Sequence, residues 1–480
     1  MSLKKKALAG VFWSALEQFG NQIIGFVISI VLARLLLPEE FGLIAMLAIF
    51  MGLGGALINS GLTQSLIRTE NPNDEDFSTV FYFNLLGSVV IYGLVSLLAP
   101  FIADFYNQPQ LTLIVRVYCI VFIINAFAAV QTTRLSKKMD FRTQMLVSTP
   151  SLVISGFVGI GLALYGFGVW SLVWSRIAQA IASTVQLWYW SKWRPLWLFS
   201  SEKFTEHFNF GFKLTLSGIL DTVFVNAYTI IIGKFFAPAQ VGFYSKADGL
   251  QMLPVRVISG IVSKITYPLF SEIQNDDIRL KSVYKRIMQM VIFLVAPTLI
   301  FIAVLGEPIF RFLYTEKWLP AVPYFQILCA AGILYPIHAY NLQILNVKGR
   351  SDLFLKLEVA KKIVLLIVLA VSFQFGIYGL LFGSVIFSMM AFGINTHYTG
   401  KFINYTAWHQ TKDLLPTILL ALFSGLIVYG LDSMLDGLKF HDFVRISICG
   451  LVGGGVYLLF SILLQLESLV ELKTLIKRKS

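Results

Sequence analysis

The sequence predicts an all-α polytopic membrane protein of about fourteen transmembrane helices, arranged as two six-helix bundles related by a parallel repeat plus two C-terminal helices. Three observations carry this. Hydrophobic residues make up 57% of the 480 positions and charged ones only 13%, and apolar runs of about 20 residues recur along the whole length. Lysine and arginine concentrate in alternate connecting segments. One short stretch occurs twice, at an offset of 200 residues.

Taken in order, the apolar runs place spans near 11–33, 41–66, 79–102, 111–132, 145–166, 169–190, 211–233, 241–265, 288–306, 321–345, 359–375, 377–399, 414–431 and 443–464. Lys4 to Lys6 precede a full-length span with no small-residue cleavage site, so no cleavable leader is expected. With the amino terminus inside, the inner segments are rich in cations. They hold Arg134, Lys137, Lys138 and Arg142, then Lys192 and Arg194, then Arg279, Lys281, Lys285 and Arg286, then Lys348, Arg350 and Lys356, then Lys401 and Lys412, and the tail Lys473, Lys477, Arg478 and Lys479. The outer turns carry few: Arg34, Lys234, Arg311, Lys317 and Lys439. This asymmetry places both termini in the cytoplasm and accounts for most of the net charge of +12 without a nucleic-acid partner.

The repeated stretch runs from Arg34 through Pro38 to Gly42, and again from Lys234 through Pro238 to Gly242. It reads as a tight turn between two membrane helices. The cation snorkels at the end of one helix, and the proline starts the next, where its missing N–H is not needed. Glu39 and Glu40 then sit at the positive end of the new helix dipole. The repeat continues: Pro100 to Tyr106 matches Pro308 to Tyr314, Cys119 matches Cys329, and Gly168 to Leu172 matches Gly376 to Leu380. Six helices per unit is an even number, so both units share one orientation about an axis along the membrane normal. The expected division is 1–200, 201–412, and 413–480 for the two extra helices and the basic tail. The longest inner loop, 266–287, reads either as an amphipathic surface helix or as a plain basic loop.

No phosphate-binding glycine loop and no metal-binding histidine pattern is present; His207, His338, His397, His409 and His441 are scattered. Cys119, Cys329 and Cys449 fall within apolar runs and read as small hydrophobes. Glycines at 52, 54, 55 and 453–455 read as close-packing sites between helices. No cofactor is therefore expected beyond a coupling ion, H+ or Na+. The informative residues are polar groups inside spans, since a charge at the bilayer centre costs about 2.5–3.5 kcal/mol on insertion scales.

Span 1 carries Ser14, Glu17, Gln18, Asn21, Gln22 and Ser29 at helical spacing, one polar stripe. Span 7 carries Lys213, Ser217 and Asp221, and the 200-residue offset aligns Glu17 with Ser217 and Asn21 with Asp221. These equivalent faces either look into a shared cleft between the bundles or hydrogen-bond within each bundle. Arg256 is the deepest cation, near the middle of span 8. Asp221 and Arg256 lie at nearly equal distances from Pro238, about 25 Å below the turn at 1.5 Å per residue, so a pair is geometrically reasonable. Asn59, Gln64, Lys246, Asp248 and Gln251 are further inward candidates. Arg116 and Arg176 lie near outer ends, where they either line the cleft or snorkel.

The whole-chain pattern, with Leu32-Ala33-Arg34-Leu35-Leu36 leading to Pro38-Glu39-Glu40-Phe41-Gly42, resembles the polysaccharide flippases of the Wzx type in the multidrug/oligosaccharidyl-lipid/polysaccharide superfamily. The resemblance implies a non-enzymatic transporter in the bacterial inner membrane. Its substrate would be an undecaprenyl-pyrophosphate-linked oligosaccharide, its mechanism alternating access, and its surroundings membrane lipids and contact with polysaccharide polymerase machinery. It also implies that spans 1, 2, 7 and 8 line a cationic cavity. Only Arg256 has a counterpart among the arginines of the related lipid II flippase; span 1 carries Glu17 instead. One rival reading, a drug/cation antiporter, would draw on Glu17, Asp221 and Asp248 as cation sites. Another, a membrane polymerase or ligase, would need a catalytic cluster on a large outer loop, and the outer turns here are short.

Overall fold

The computed structural model describes the backbone of residues 3–59 and 61–469, and their side chains apart from 3–9, 11, 58, 59, 261 and 263–265. Among these residues there are helices and connections but no strand. The chain forms two compact units, Met1–Gly242 and Phe243–Ser480.

The first unit holds α1 (Leu3–Leu35), α2 (Pro38–Met46), α3 (Ala48–Asn59), α4 (Leu62–Arg68), α5 (Asp74–Tyr106), α6 (Leu111–Tyr118), α7 (Ile120–Lys137), α8 (Phe141–Leu164), α9 (Val169–Ser191), α10 (Ser201–Val225) and α11 (Ala227–Phe235). The long α12 (Pro238–Glu272) begins in it and continues into the second unit. Polar side chains satisfy free N–H groups of the first turn at the starts of α5, α8 and α10. Asn73 and Asp76 cap α5 reciprocally, each side chain accepting from the other's backbone N–H at 2.9 and 2.8 Å. Asp140 accepts from Thr143 N–H at 3.1 Å to open α8. Gly168, which precedes α9, and Gly376, which the repeat matches to it and which opens a helix of the second unit, have φ of 55° and 70°, a conformation glycine adopts without steric cost.

The second unit adds α13 (Asp277–Val304), α14 (Gly306–Tyr314), α15 (Val322–Gly332), α16 (Tyr335–Val347), α17 (Ser351–Ser372), α18 (Gly376–Ile403), α19 (Ala407–Gly437) and α20 (Asp442–Leu463). Here α13 packs on α19 and α19 on α20, and the Tyr457 hydroxyl donates to the Phe293 carbonyl at 3.0 Å, tying α20 to α13. All three cysteines are buried free thiols.

Every expected span coincides with helix, but several are broken. Span 2 is α2, α3 and α4 in succession; span 4 is α6 and α7; span 7 is α10 and α11. Eleven runs among the described residues are long and apolar enough to cross a membrane, and one of them, Ser351–Ile403, contains both α17 and α18. Helix α9, with Arg176, Gln179 and Gln186, and helix α12, with Lys246, Asp248 and Arg256, are not among those eleven. The count of fourteen thus remains an expectation.

One further expectation meets a different arrangement. The 266–287 segment is neither a surface helix nor a loop: α12 runs on to Glu272 and α13 begins at Asp277, where the Asp276 carboxylate accepts from Arg279 N–H at 2.9 Å. The charges there decorate the ends of two long helices. The first compact unit ends at Gly242, with α10 packed on α3, α4 and α5, and α11 on α2 and α5; the division into 1–200, 201–412 and 413–480, drawn from the repeat, stays an expectation.

Candidate functional site

The duplicated turns are built alike down to the cap. Leu37 N–H donates to Glu40 Oε2 at 2.7 Å, and Ala237 N–H donates to Gln240 Oε1 at 3.2 Å. Proline therefore starts both α2 and α12 with the first-turn donors provided for. The two turns also pack on each other. A Cβ added at Gly42 would lie 2.7 Å from the Pro238 carbonyl carbon, and one at Gly242 2.8 Å from the Pro38 carbonyl carbon. Only glycine permits this reciprocal backbone contact. Lys234 does more than snorkel: its ammonium donates to the Phe105 carbonyl at 2.7 Å and lies 4.8 Å from that ring's centroid. Arg34 is exposed.

A second seam joins the two repeats within the first unit, along α3 and α4 on one side and α10 on the other. A Cβ at Gly52 would meet the Thr222 methyl at 2.6 Å, and one at Gly211 would meet the Gly61 carbonyl carbon at the same distance. Residue numbers rise on one side as they fall on the other, so the helices run antiparallel. Gly54 faces Phe122 and Gly453 faces Val428, while Gly55, Gly454 and Gly455 have open space.

The polar stripe of span 1 is hydrogen-bonded to α8. Ser148 Oγ donates to Glu17 Oε1 at 2.7 Å, Asn21 Nδ2 donates to Ser148 Oγ at 3.0 Å, and Thr149 Oγ1 donates to Asn21 Oδ1 at 2.9 Å. Both Glu17 and Asn21 remain half-exposed. The Ser148–Thr149 pair, polar residues inside an expected span, is the sequence signal for this network.

Lys213 and Asp221 are exposed on α10, and Gln64 on α4. The side chain of Asn59 and the basic tail from residue 470 lie outside the described residues. Arg116 is exposed and donates through Nε to the Ser96 carbonyl at 3.3 Å. Arg176, also exposed, lines a cavity of about 240 Å³ with Ser29 of α1, Phe41 of α2, Ser155 of α8 and Gln179 of α9.

In the second unit α12 carries the polar residues. Lys246 is buried, with its ammonium 5.5 Å from the Tyr314 ring centroid and 5.8 Å from that of Trp318, a cation held on aromatic faces. Gln251 is buried, Asp248 is half-buried and within electrostatic reach of Arg256, and Arg256 itself is exposed. An apolar groove of about 570 Å³ lies along α17 and α18, lined by Ile367, Val371, Phe375, Phe382 and Ile386 among others. It suits hydrocarbon and offers nothing to a sugar.

Sequence reasoning missed a buried cluster in the first unit: His207 of α10 is fully buried between Ser65 of α4 and Asp76 of α5. The one local signal was the Asn73–Asp76 capping pattern.

The chain matches the family described as "Polysaccharide biosynthesis protein" over residues 31–323. It is 24% identical to the lipopolysaccharide biosynthesis protein WzxC of Escherichia coli (strain K12), across 75% of this chain and 74% of that protein. It is 26% identical to the succinoglycan biosynthesis transport protein ExoT of Rhizobium meliloti (strain 1021), across 70% and 68%. Among solved structures, the lipid II flippase MurJ in an inward closed conformation superposes with a TM-score of 0.74 over 94% of this chain and 98% of that one, at 14% identity. That likeness is one of fold.

Proposed function

This chain belongs to the polysaccharide biosynthesis protein family, and from that premise we propose that it is a flippase for a lipid-linked oligosaccharide. It moves an undecaprenyl-pyrophosphate-linked glycan from the cytoplasmic to the periplasmic leaflet of a bacterial inner membrane by alternating access, with both termini cytoplasmic and no covalent chemistry. The observation that carries the reading is the family match over residues 31–323, which spans the duplicated turns and the polar faces of α10 and α12.

The site chemistry supports an anionic cargo over a cationic one. Within the second unit α12 carries two cations, Lys246 and Arg256, against the one carboxylate Asp248; within the first, Glu17 is already engaged by Ser148. A guanidinium at Arg256 suits a pyrophosphate, which accepts two parallel N–H bonds. Glu17, Asn21, Asn59, Gln251, Arg116 and Arg176 are the remaining candidate lining residues. The groove on α17 and α18 supports a hydrocarbon-bearing substrate. Contact with a polysaccharide polymerase belongs to the same reading, since the flipped glycan is that enzyme's substrate.

The test is transfer of a fluorescent lipid-linked oligosaccharide across vesicles containing the purified protein. Arg256→Ala is expected to insert normally and lose transfer, with Arg256→Lys restoring part of it. Transfer at the wild-type rate by the alanine variant removes Arg256 from the site, and absence of transfer by the wild-type protein removes the flippase reading.

A further inference from the structure

The buried chain of side chains in the first unit has a definite geometry. Ser65 Oγ lies 2.8 Å from His207 Nδ1, and His207 Nε2 lies 3.2 Å from Asp76 Oδ1. The same carboxylate oxygen is 3.3 Å from Lys203 Nζ, one turn before His207 on α10. The other carboxylate oxygen accepts the Asn73 N–H at 2.8 Å. Three helices, α4, α5 and α10, thus converge on one imidazole that has no exposed surface.

Its position in the seam matters. Ser65 lies four residues beyond Gly61 on α4, and His207 four residues before Gly211 on α10, so the hydrogen bond continues the antiparallel glycine contact by one turn. Helix α4 ends the second span of the first repeat and α10 opens the second repeat. On the topology proposed above, both of these ends are cytoplasmic. The cluster therefore fastens the two repeats together at the cytoplasmic end of the first unit.

The surrounding charges are accounted for. Helix α3 brings none. Helix α4 brings Arg68, whose guanidinium sits 4.6 Å over the Phe210 ring. Helix α5 brings Glu75 and Asp74, and Asp74 is held at 3.0 Å by both Arg134 and the Trp193 indole. Helix α10 brings Glu202, Lys203 and Glu206, the last 3.5 Å from Lys203. Helix α7, packed on α4, places Lys137 on the carbonyls of Leu66 and Ile67 at 3.1 and 3.0 Å.

A neutral imidazole satisfies this arrangement fully. Nδ1 accepts the Ser65 hydroxyl, Nε2–H donates to Asp76, and Lys203 balances the carboxylate, so no net charge is buried. A proton added at Nδ1 reverses the Ser65 hydrogen bond and leaves a net positive charge on an imidazole with no exposed surface, because Asp76 is already balanced by Lys203. Imidazole is the side chain whose ordinary titration falls between about pH 5 and 8. We propose that His207 is a proton-binding site whose occupation releases α10 from α4 and α5 and opens the cytoplasmic end of the seam. The proton comes from cytoplasmic water onto Nδ1 and returns to it when the seam closes. This rests on the transporter reading and names the proton as the ion that the same machinery uses.

The experiment places spin labels at Ile67→Cys and Thr205→Cys, exposed positions on α4 and α10, in the full-length protein in lipid vesicles without substrate. Distances are read from about pH 5 to 8. The expected result is a longer-distance population that grows as pH falls and is absent in His207→Gln. Lys203→Gln, at a partly exposed position that does not threaten folding, is expected to move the midpoint up by about half to one pH unit by removing the competing cation. A wild-type distribution insensitive to pH, or a response that His207→Gln retains, overturns the proposal. If His207→Gln fails to insert, an unmoved midpoint in Lys203→Gln overturns it equally. A distance response without oligosaccharide transfer sinks the flippase reading and keeps the proton site; transfer without a response does the reverse.

Discussion

Asp432 of α19 grips Arg445 of α20 with both carboxylate oxygens, one 2.9 Å from Nε and the other 2.9 Å from Nη2. This bidentate pair is buried, and Arg445 also reaches Asp436 and, at 3.5 Å, Asp442. Asp442 in turn lies 3.3 Å from Arg311 of α14. One guanidinium thus collects three carboxylates where α19, α20 and α14 meet.

Removing one partner from such a pair strands the other without water. Arg445→Met is expected to cost about 3–5 kcal/mol, read as a lower thermal midpoint in detergent. The double variant Arg445→Met/Asp432→Leu should recover most of that loss, because the uncompensated carboxylate is gone. A double variant as unstable as the single one would show that the network, not the pair, sets the cost.

The reciprocal contact of the duplicated turns gives a second expectation. At Gly42 the obstructing atoms are the Pro238 backbone, which cannot swing aside as a flexible side chain would. Gly42→Ala and Gly242→Ala are each expected to destabilise by about 1–3 kcal/mol through overpacking. Gly55→Ala, where an added methyl meets nothing within 4 Å, serves as the control. Equal thermal midpoints for Gly42→Ala and Gly55→Ala would mean that the two turns separate freely.

Topology can be checked from exposed positions on the two sides. Cysteine at Glu39 or Ala237, beside the prolines, should react with an impermeant maleimide from the periplasm only, and cysteine at Ile278, an exposed residue at the start of α13, from the cytoplasm only. Labelling of Glu39→Cys from the cytoplasm alone would invert the proposed orientation.

Sequence alone disclosed those features whose causes are local. The turns at Pro38 and Pro238 follow from capping chemistry within a few residues, and the 200-residue offset needed no knowledge of packing. The breaks did not show. Leu47 ends α2 in an ordinary right-handed conformation, with no glycine or proline to announce it. The basic run after residue 266 suggested an independent element because hydropathy marks where a helix leaves an apolar phase, not where it ends. The His207 cluster was illegible for a different reason. Its partners lie 131 and 142 positions away, and only the tertiary packing of α10 on α4 and α5 brings them together. The stripe of Glu17 and Asn21 was visible, but its partners on α8 were not, since periodicity identifies a face and says nothing of what covers it.

The last expectation concerns Asp221 and Arg256. They belong to different units, on α10 and α12, and both are exposed within their own units. Along the sequence they lie at nearly equal distances from Pro238, and the run of α10 is interrupted at Asn226, where the helix breaks before α11. If the two form a structural pair, either single substitution strands a charge and destabilises the protein by about 3–5 kcal/mol, and Asp221→Asn/Arg256→Gln restores folding and transfer together. If they form a gate that substrate opens, the pyrophosphate takes over the guanidinium as Asp221 leaves it, and the pair is a bistable element biased by ligand. The double variant then folds well and still fails to transfer. A gate is the better expectation, because a cation that meets an anionic cargo gains more from exchanging partners than from keeping a fixed one. Thermal midpoints and vesicle transfer on both single variants and the double variant separate the cases, and wild-type transfer by the double variant would end the gating idea.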